Sequence, residues 1–216
     1  MLAAGIGTFV AYAAVVQLFS VVSVPPENVA LLWVPNAVIV VALSRTERRS
    51  WWAIWAAGML GEVVGDALQN IEPVDALRSG VGNRIEAPLA IVVAQRIAGP
   101  LITLRSVRNV AALVFSAVTV PGVTGMLGAL GSVITFGSVW SEAWRAWWFG
   151  DAIGLVVGVP LGLALFDLRT TVVAGRSLMT RIELGIAVAA ITGFAFTLAV
   201  DDRLQQAQHV VIAGAI

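Results

Sequence analysis

Almost the whole sequence is divided into apolar runs of about 20 residues, the length at which an α-helix crosses the hydrocarbon core of a bilayer. Inside a bilayer every backbone N–H and C=O must be satisfied within the protein, so runs of this length fold as helices packed side by side. With 59% hydrophobic and 12% charged residues and a mean hydropathy of +0.91, the chain is far more apolar than a soluble domain. The expected fold is all-α, a polytopic integral membrane helical bundle of seven spans and the start of an eighth.

The spans read in order as follows. Leu2 to Val24 comes first, closed by Pro25 and Pro26; it has no basic leader and reads as a retained helix, not a signal peptide. The second, from Asn28 to Leu43, carries Trp33, Pro35 and Asn36 in its first half and is expected to begin kinked or unwound. Trp51 to Leu68, Gly80 to Ile97, and Asn109 to Phe136 follow, the last with an expected kink at Pro121-Gly122. The sixth and seventh are Ala143 to Phe166 and Ile182 to Val200. An eighth starts near Gln208 and stops at Ile216, so residues 1–216 read as one domain truncated within its last span, ahead of further chain.

Arginine sets the orientation, because the chain has no lysine and cytoplasmic loops retain positive charge. Arg45, Arg48 and Arg49, then Arg96, Arg105 and Arg108, then Arg169, Arg176 and Arg181 follow spans two, four and six. The alternate loops hold Arg78, Arg145 and Arg203 against Glu72, Asp75, Glu142, Asp201 and Asp202. The N-terminus is therefore expected in the cytoplasm, with the C-terminus returning there after an eighth crossing.

The sixth span holds the strongest local signal. Gly150, Gly154, Gly158 and Gly162 recur every four residues, a row that drifts only about 40° per step and leaves one side of a helix bare for close packing. Asp151 lies within the sector this row sweeps, so it is expected to face protein and to need a partner. Measured along each span, Asn36, Glu62, Asp66, Asn83, Arg84, Glu86 and Asp151 all fall within roughly 5 to 13 Å of the outer boundary, in one layer. Charges at membrane depth cost at least about 2.5 to 3.5 kcal/mol each, so these groups are expected to meet in an outward-facing polar site. The acids outnumber Arg84, which requires that one or more be protonated, hydrated or neutralised by a cation. Trp33 and Trp147 are candidate residues of that site, Trp147 together with Trp148 as walls of an outer cavity, while Trp51, Trp52, Trp55, Trp140, Trp144, Trp147 and Trp148 read first as interfacial anchors.

Much is excluded. Without cysteine there are no disulfides, thiolate metal sites or cysteine nucleophiles. With 13 basic and 13 acidic residues, nothing suggests nucleic-acid binding. No phosphate loop, nucleophile elbow, zinc motif, kinase motif or cyclase motif is present, and no cofactor or metal is expected. The lone His209 reads as interfacial.

Three stretches in order, WVPNA at Trp33 to Ala37, GNRIEAPLA at Gly82 to Ala90, and WWFGDAIG with the following GVP at Trp147 to Pro160, resemble the MASE1 family. The family pattern has Trp-Pro-Pro and a glycine in the first motif, where this chain carries Val34 and Ala37. The resemblance implies a bacterial inner-membrane sensor domain. It also implies a C-terminal cytoplasmic signalling partner, a histidine kinase or a GGDEF/EAL-type diguanylate cyclase or phosphodiesterase of two-component or cyclic di-GMP signalling. On this reading the chain is not itself an enzyme, and its partners are the bilayer, an unknown small ligand, the output domain and a second copy as a homodimer. A small-molecule transporter or substrate-capturing subunit, and a purely structural anchor whose acids only pair with Arg84, are the competing readings.

Overall fold

The computed structural model describes residues 2–20, 23–24, 29–30, 32–72, 74 and 80–171. The expected seventh and eighth spans, with Arg176, Arg181, Arg203 and His209, lie outside the described residues. The chain divides into two compact units, Met1–Leu165 and Phe166–Ile216, and the site lies wholly within the first.

Helix α1 covers Leu2–Ser20 and is followed by one antiparallel pair of two-residue strands, β1 (Ser23–Val24) and β2 (Val29–Ala30). The remaining described elements are helical: α2 (Pro35–Ser44), a single 3-10 turn (Arg48–Ser50), α3 (Trp51–Leu68), α4 (Val81–Ala98), α5 (Val107–Phe136) and α6 (Trp140–Thr171). Glycine ends two of these helices, because Gly99 and Gly137 take positive φ values of 100° and 71° that a side chain would oppose.

Among the described residues, three helices are long and apolar enough to cross a membrane: Leu2–Phe19 of α1, Val107–Phe136 of α5, and Trp140–Asp167 of α6. Helices α3 and α4 have 18 residues each, a spanning length, but Glu62 and Asp66 in one and Arg84, Glu86 and Arg96 in the other dilute their apolar character. The second span is shorter than its sequence suggests. Its helix starts only at Pro35, where a residue with fixed φ and no N–H suits the first helical turn. Ten residues rise about 15 Å, half of the ~30 Å hydrocarbon core, and Trp33 and Val34 ahead of it are not helical.

Glycines mediate several of the helix contacts. On α3, a Cβ at Gly61 would lie 3.0 Å from the Phe9 carbonyl oxygen of α1, and one at Gly65 would lie 2.6 Å from Val16. On α4, a Cβ at Gly82 would lie 3.0 Å from the Thr124 carbonyl oxygen of α5. The row on α6 accepts the second span: a Cβ at Gly154 would collide with the Trp33 carbonyl, one at Gly158 with Ala37 and one at Gly162 with Val41. The neighbour that the bare helix side called for is thus partly unwound backbone and partly α2.

Helix α5 runs without interruption through Pro121, which has no N–H for the carbonyl of Ala117. Indole donors from α6 bind carbonyls on either side of the proline, Trp148 Nε1 to Val118 at 2.8 Å and Trp144 Nε1 to Gly122 at 2.9 Å. Those tryptophans stack on one another along α6, Trp140 on Trp144 and Trp144 on Trp148.

Candidate functional site: a buried carboxyl and amide network

Asn36 sits in the first turn of α2, close to where the unwound segment meets α6. Its amide makes three hydrogen bonds. Nδ2 donates to Glu86 Oε1 at 2.7 Å and to Asn83 Oδ1 at 3.2 Å, while Oδ1 accepts from the Tyr12 hydroxyl at 3.2 Å. Asn83 and Glu86 are three residues apart on α4 and so share the face turned to α2. Asn83 Nδ2 donates onward to Glu62 Oε1 of α3 at 3.1 Å, and Thr124 of α5 donates to the second oxygen of Glu86 at 3.0 Å.

Asp151 completes the set from α6. Its carboxyl lies within side-chain hydrogen-bonding reach of that of Glu86, and since two ionised carboxylates offer only acceptors, a hydrogen bond between them requires a proton on one of the two. The network therefore joins side chains from α1 to α6. Its donors run from Tyr12 through the amides of Asn36 and Asn83 and end on carboxyl oxygens of Glu86 and Glu62.

Asn36 and Glu86 are 0% exposed, Glu62 2%, and Asn83 and Asp151 3%, so the set is enclosed and does not line an open cleft. Its edge lies at α3 and α4. Arg84, with a side chain 16% exposed, places Nη2 3.8 Å from Glu62 Oε2, an oxygen that accepts no hydrogen bond, and Asp66 one turn on is half-buried.

The sequence-predicted residues thus separate into groups. Asn36, Glu62, Asn83, Glu86 and Asp151 form the network, with Arg84 paired at its edge and Asp66 beside it. Trp33 takes part through its backbone, its N–H donating to the Gly150 carbonyl at 3.0 Å, while its indole Nε1 is buried without a hydrogen-bond partner. Trp147 stands outside the set: its ring covers Gly128 of α5 and its Nε1 donates to Ser132 at 3.0 Å. Since Gly128 is one turn beyond Thr124 and Trp147 one turn before Asp151, this ring occupies the next layer toward the connection between α5 and α6.

Tyr12 and Thr124 are members that sequence reasoning missed. Tyr12 is the only tyrosine in the chain, and a phenol in the middle of an apolar span needs a partner, which was a usable signal. Thr124 gave none, because a helical threonine satisfies itself on the preceding turn, as this one also does on the Val120 carbonyl.

The fold and this network define a class: a polytopic helical membrane protein with ionisable groups buried where its helices cross, and no cluster of metal-ligating side chains among the described residues. A family model agrees with that class and gives it a name. The MASE1 model matches residues 1–202, and the chain belongs to the MASE1 family of membrane-associated sensor domains. No curated protein and no solved structure matches the chain.

Proposed function

We propose that this domain is the signal-input part of a longer bacterial inner-membrane receptor, with its N-terminus in the cytoplasm and a kinase or a cyclic di-GMP enzyme as its C-terminal output partner. In this reading α3 and α4 cross the membrane as well, their ionisable groups neutralised by one another. The stimulus, a small polar or cationic ligand or the proton itself, acts on the network of Asp151, Glu86, Asn36, Asn83 and Glu62, entering past Arg84 and Asp66.

One observation carries the proposal: a single hydrogen-bonded set touches every helix from α1 to α6, so a change at one carboxyl is felt by all of them. Enclosed polar groups have few acceptable arrangements, which makes such a set two-state and suitable for switching. A hydrogen bond to a charged group is worth about 1.5 to 3 kcal/mol, enough to shift a two-state equilibrium by about 10- to 100-fold.

The test uses the full-length protein with its own output domain. Glu86→Gln is expected to fix output at one level whatever the growth condition, at normal membrane abundance. An output that still responds as in the unmodified protein would contradict the proposal.

A further inference from the structure

We propose that the arginine-bearing end of the bundle is a binding surface for the phosphodiester headgroups of anionic phospholipids. The end is built from the loop between α2 and α3 and the loop between α4 and α5. Arg45 Nη1 donates to the Ile102 carbonyl at 2.8 Å and Arg48 Nη2 to Gln95 Oε1 at 3.3 Å, which ties the two loops into one surface. Gln95 in turn donates to the Pro100 carbonyl at 3.0 Å.

The charge of this surface is one-sided. Glu47 is the only acid in residues 45–61 and 87–141, and it is taken by Arg49. Arg96 in the last turn of α4, Arg105 before α5 and Arg108 in its first turn are exposed and have no acidic partner among the described residues. The first turn of α5 contains no acid, and Ser106 before it makes no side-chain cap, so the orphan N–H groups there add to the positive field.

Depth selects the partner. Helix α5 is a membrane-spanning helix by length and composition and begins at Val107, so Arg105 and Arg108 stand where lipid headgroups lie. Trp51, held under the Arg48 guanidinium at 5.0 Å, and the exposed Trp52 beside it mark the same interfacial level on α3. Guanidinium groups match phosphate oxygens in a bidentate fork, and every basic residue here is arginine.

The chain reconstituted in phosphatidylcholine, with headgroup-level spin-labelled phosphatidylglycerol or phosphatidylcholine as probe, tests this by electron paramagnetic resonance. An arginine near an anionic surface is worth about fivefold in association, so phosphatidylglycerol is expected to be preferred about fivefold or more. Combining R96Q, R105Q and R108Q should bring that preference to within about twofold of unity, R105Q alone should lower it part of the way, and R145Q at the opposite end should leave it unchanged. Equal association of both lipids with the unmodified chain, an undiminished preference in folded R105Q and in the triple variant, or an equal loss in R145Q would overturn the proposal. So would a preference erased by inorganic phosphate but not by chloride at the same ionic strength, which would assign the surface to a soluble anion.

Discussion

The carbonyl of Trp33 rests against the backbone of Gly154, with the Trp33 N–H bonded to the Gly150 carbonyl one turn earlier at 3.0 Å. No side chain separates the two segments. Overpacking such a contact costs about 1 to 3 kcal/mol, so Gly154→Ala is expected to lower thermal stability in detergent, and Gly158→Leu to lower it further. Gly7 of α1 meets nothing within 4 Å, and Gly7→Ala should leave the melting temperature essentially unchanged. Equal melting temperatures for all of these variants would show that α6 does not receive the second span.

Asn36 is the branch point of the network, bonded to Tyr12, Asn83 and Glu86. Asn36→Ala strands three buried partners, at about 1 to 3 kcal/mol for each group left unsatisfied, and should be among the most destabilising single changes in the bundle. Tyr12→Phe removes one neutral hydrogen bond and should cost about 1 kcal/mol. Equilibrium unfolding in mixed micelles reads both, and the order Asn36→Ala worse than Tyr12→Phe is the expected result.

How much of this was legible in the sequence depended on range. Helical periodicity is local, so α3 was read to its last residue, α4 to within one residue at either end, and the close-packing side of α6 from its glycine row alone. The cost of burying charge brought Glu62, Asn83, Glu86 and Asp151 to one depth without knowledge of any contact. What was not legible was which bare surface meets which neighbour. The row on α6 faces unwound backbone at Trp33 as well as a helix, and Trp147 turns to Gly128 and Ser132 and away from the acids, because both outcomes depend on segments far apart in the chain. The carboxyls are enclosed by the protein, with Asn36 donating to one oxygen of Glu86 and Asn83 to one oxygen of Glu62.

Orientation can be mapped directly in a chain that has no cysteine. Single cysteines replacing Glu72 and Glu142, both exposed, should react with a membrane-impermeant thiol reagent in intact cells, and one replacing Arg49 should react only after lysis. Labelling at Arg49 with protection at both glutamates would reverse the topology.

The most direct test of the account is a double-mutant cycle on signalling output in the full-length protein, with Glu86→Gln and Asp151→Asn made singly and together. Both changes replace a carboxyl at nearly constant shape, and the two carboxyls lie within hydrogen-bonding reach of each other, so each alone should disturb the same switch. The predicted result is that the double variant matches the stronger single variant, at unchanged membrane abundance. Independent, additive effects, or no effect of either change, would contradict a shared input site at Glu86 and Asp151.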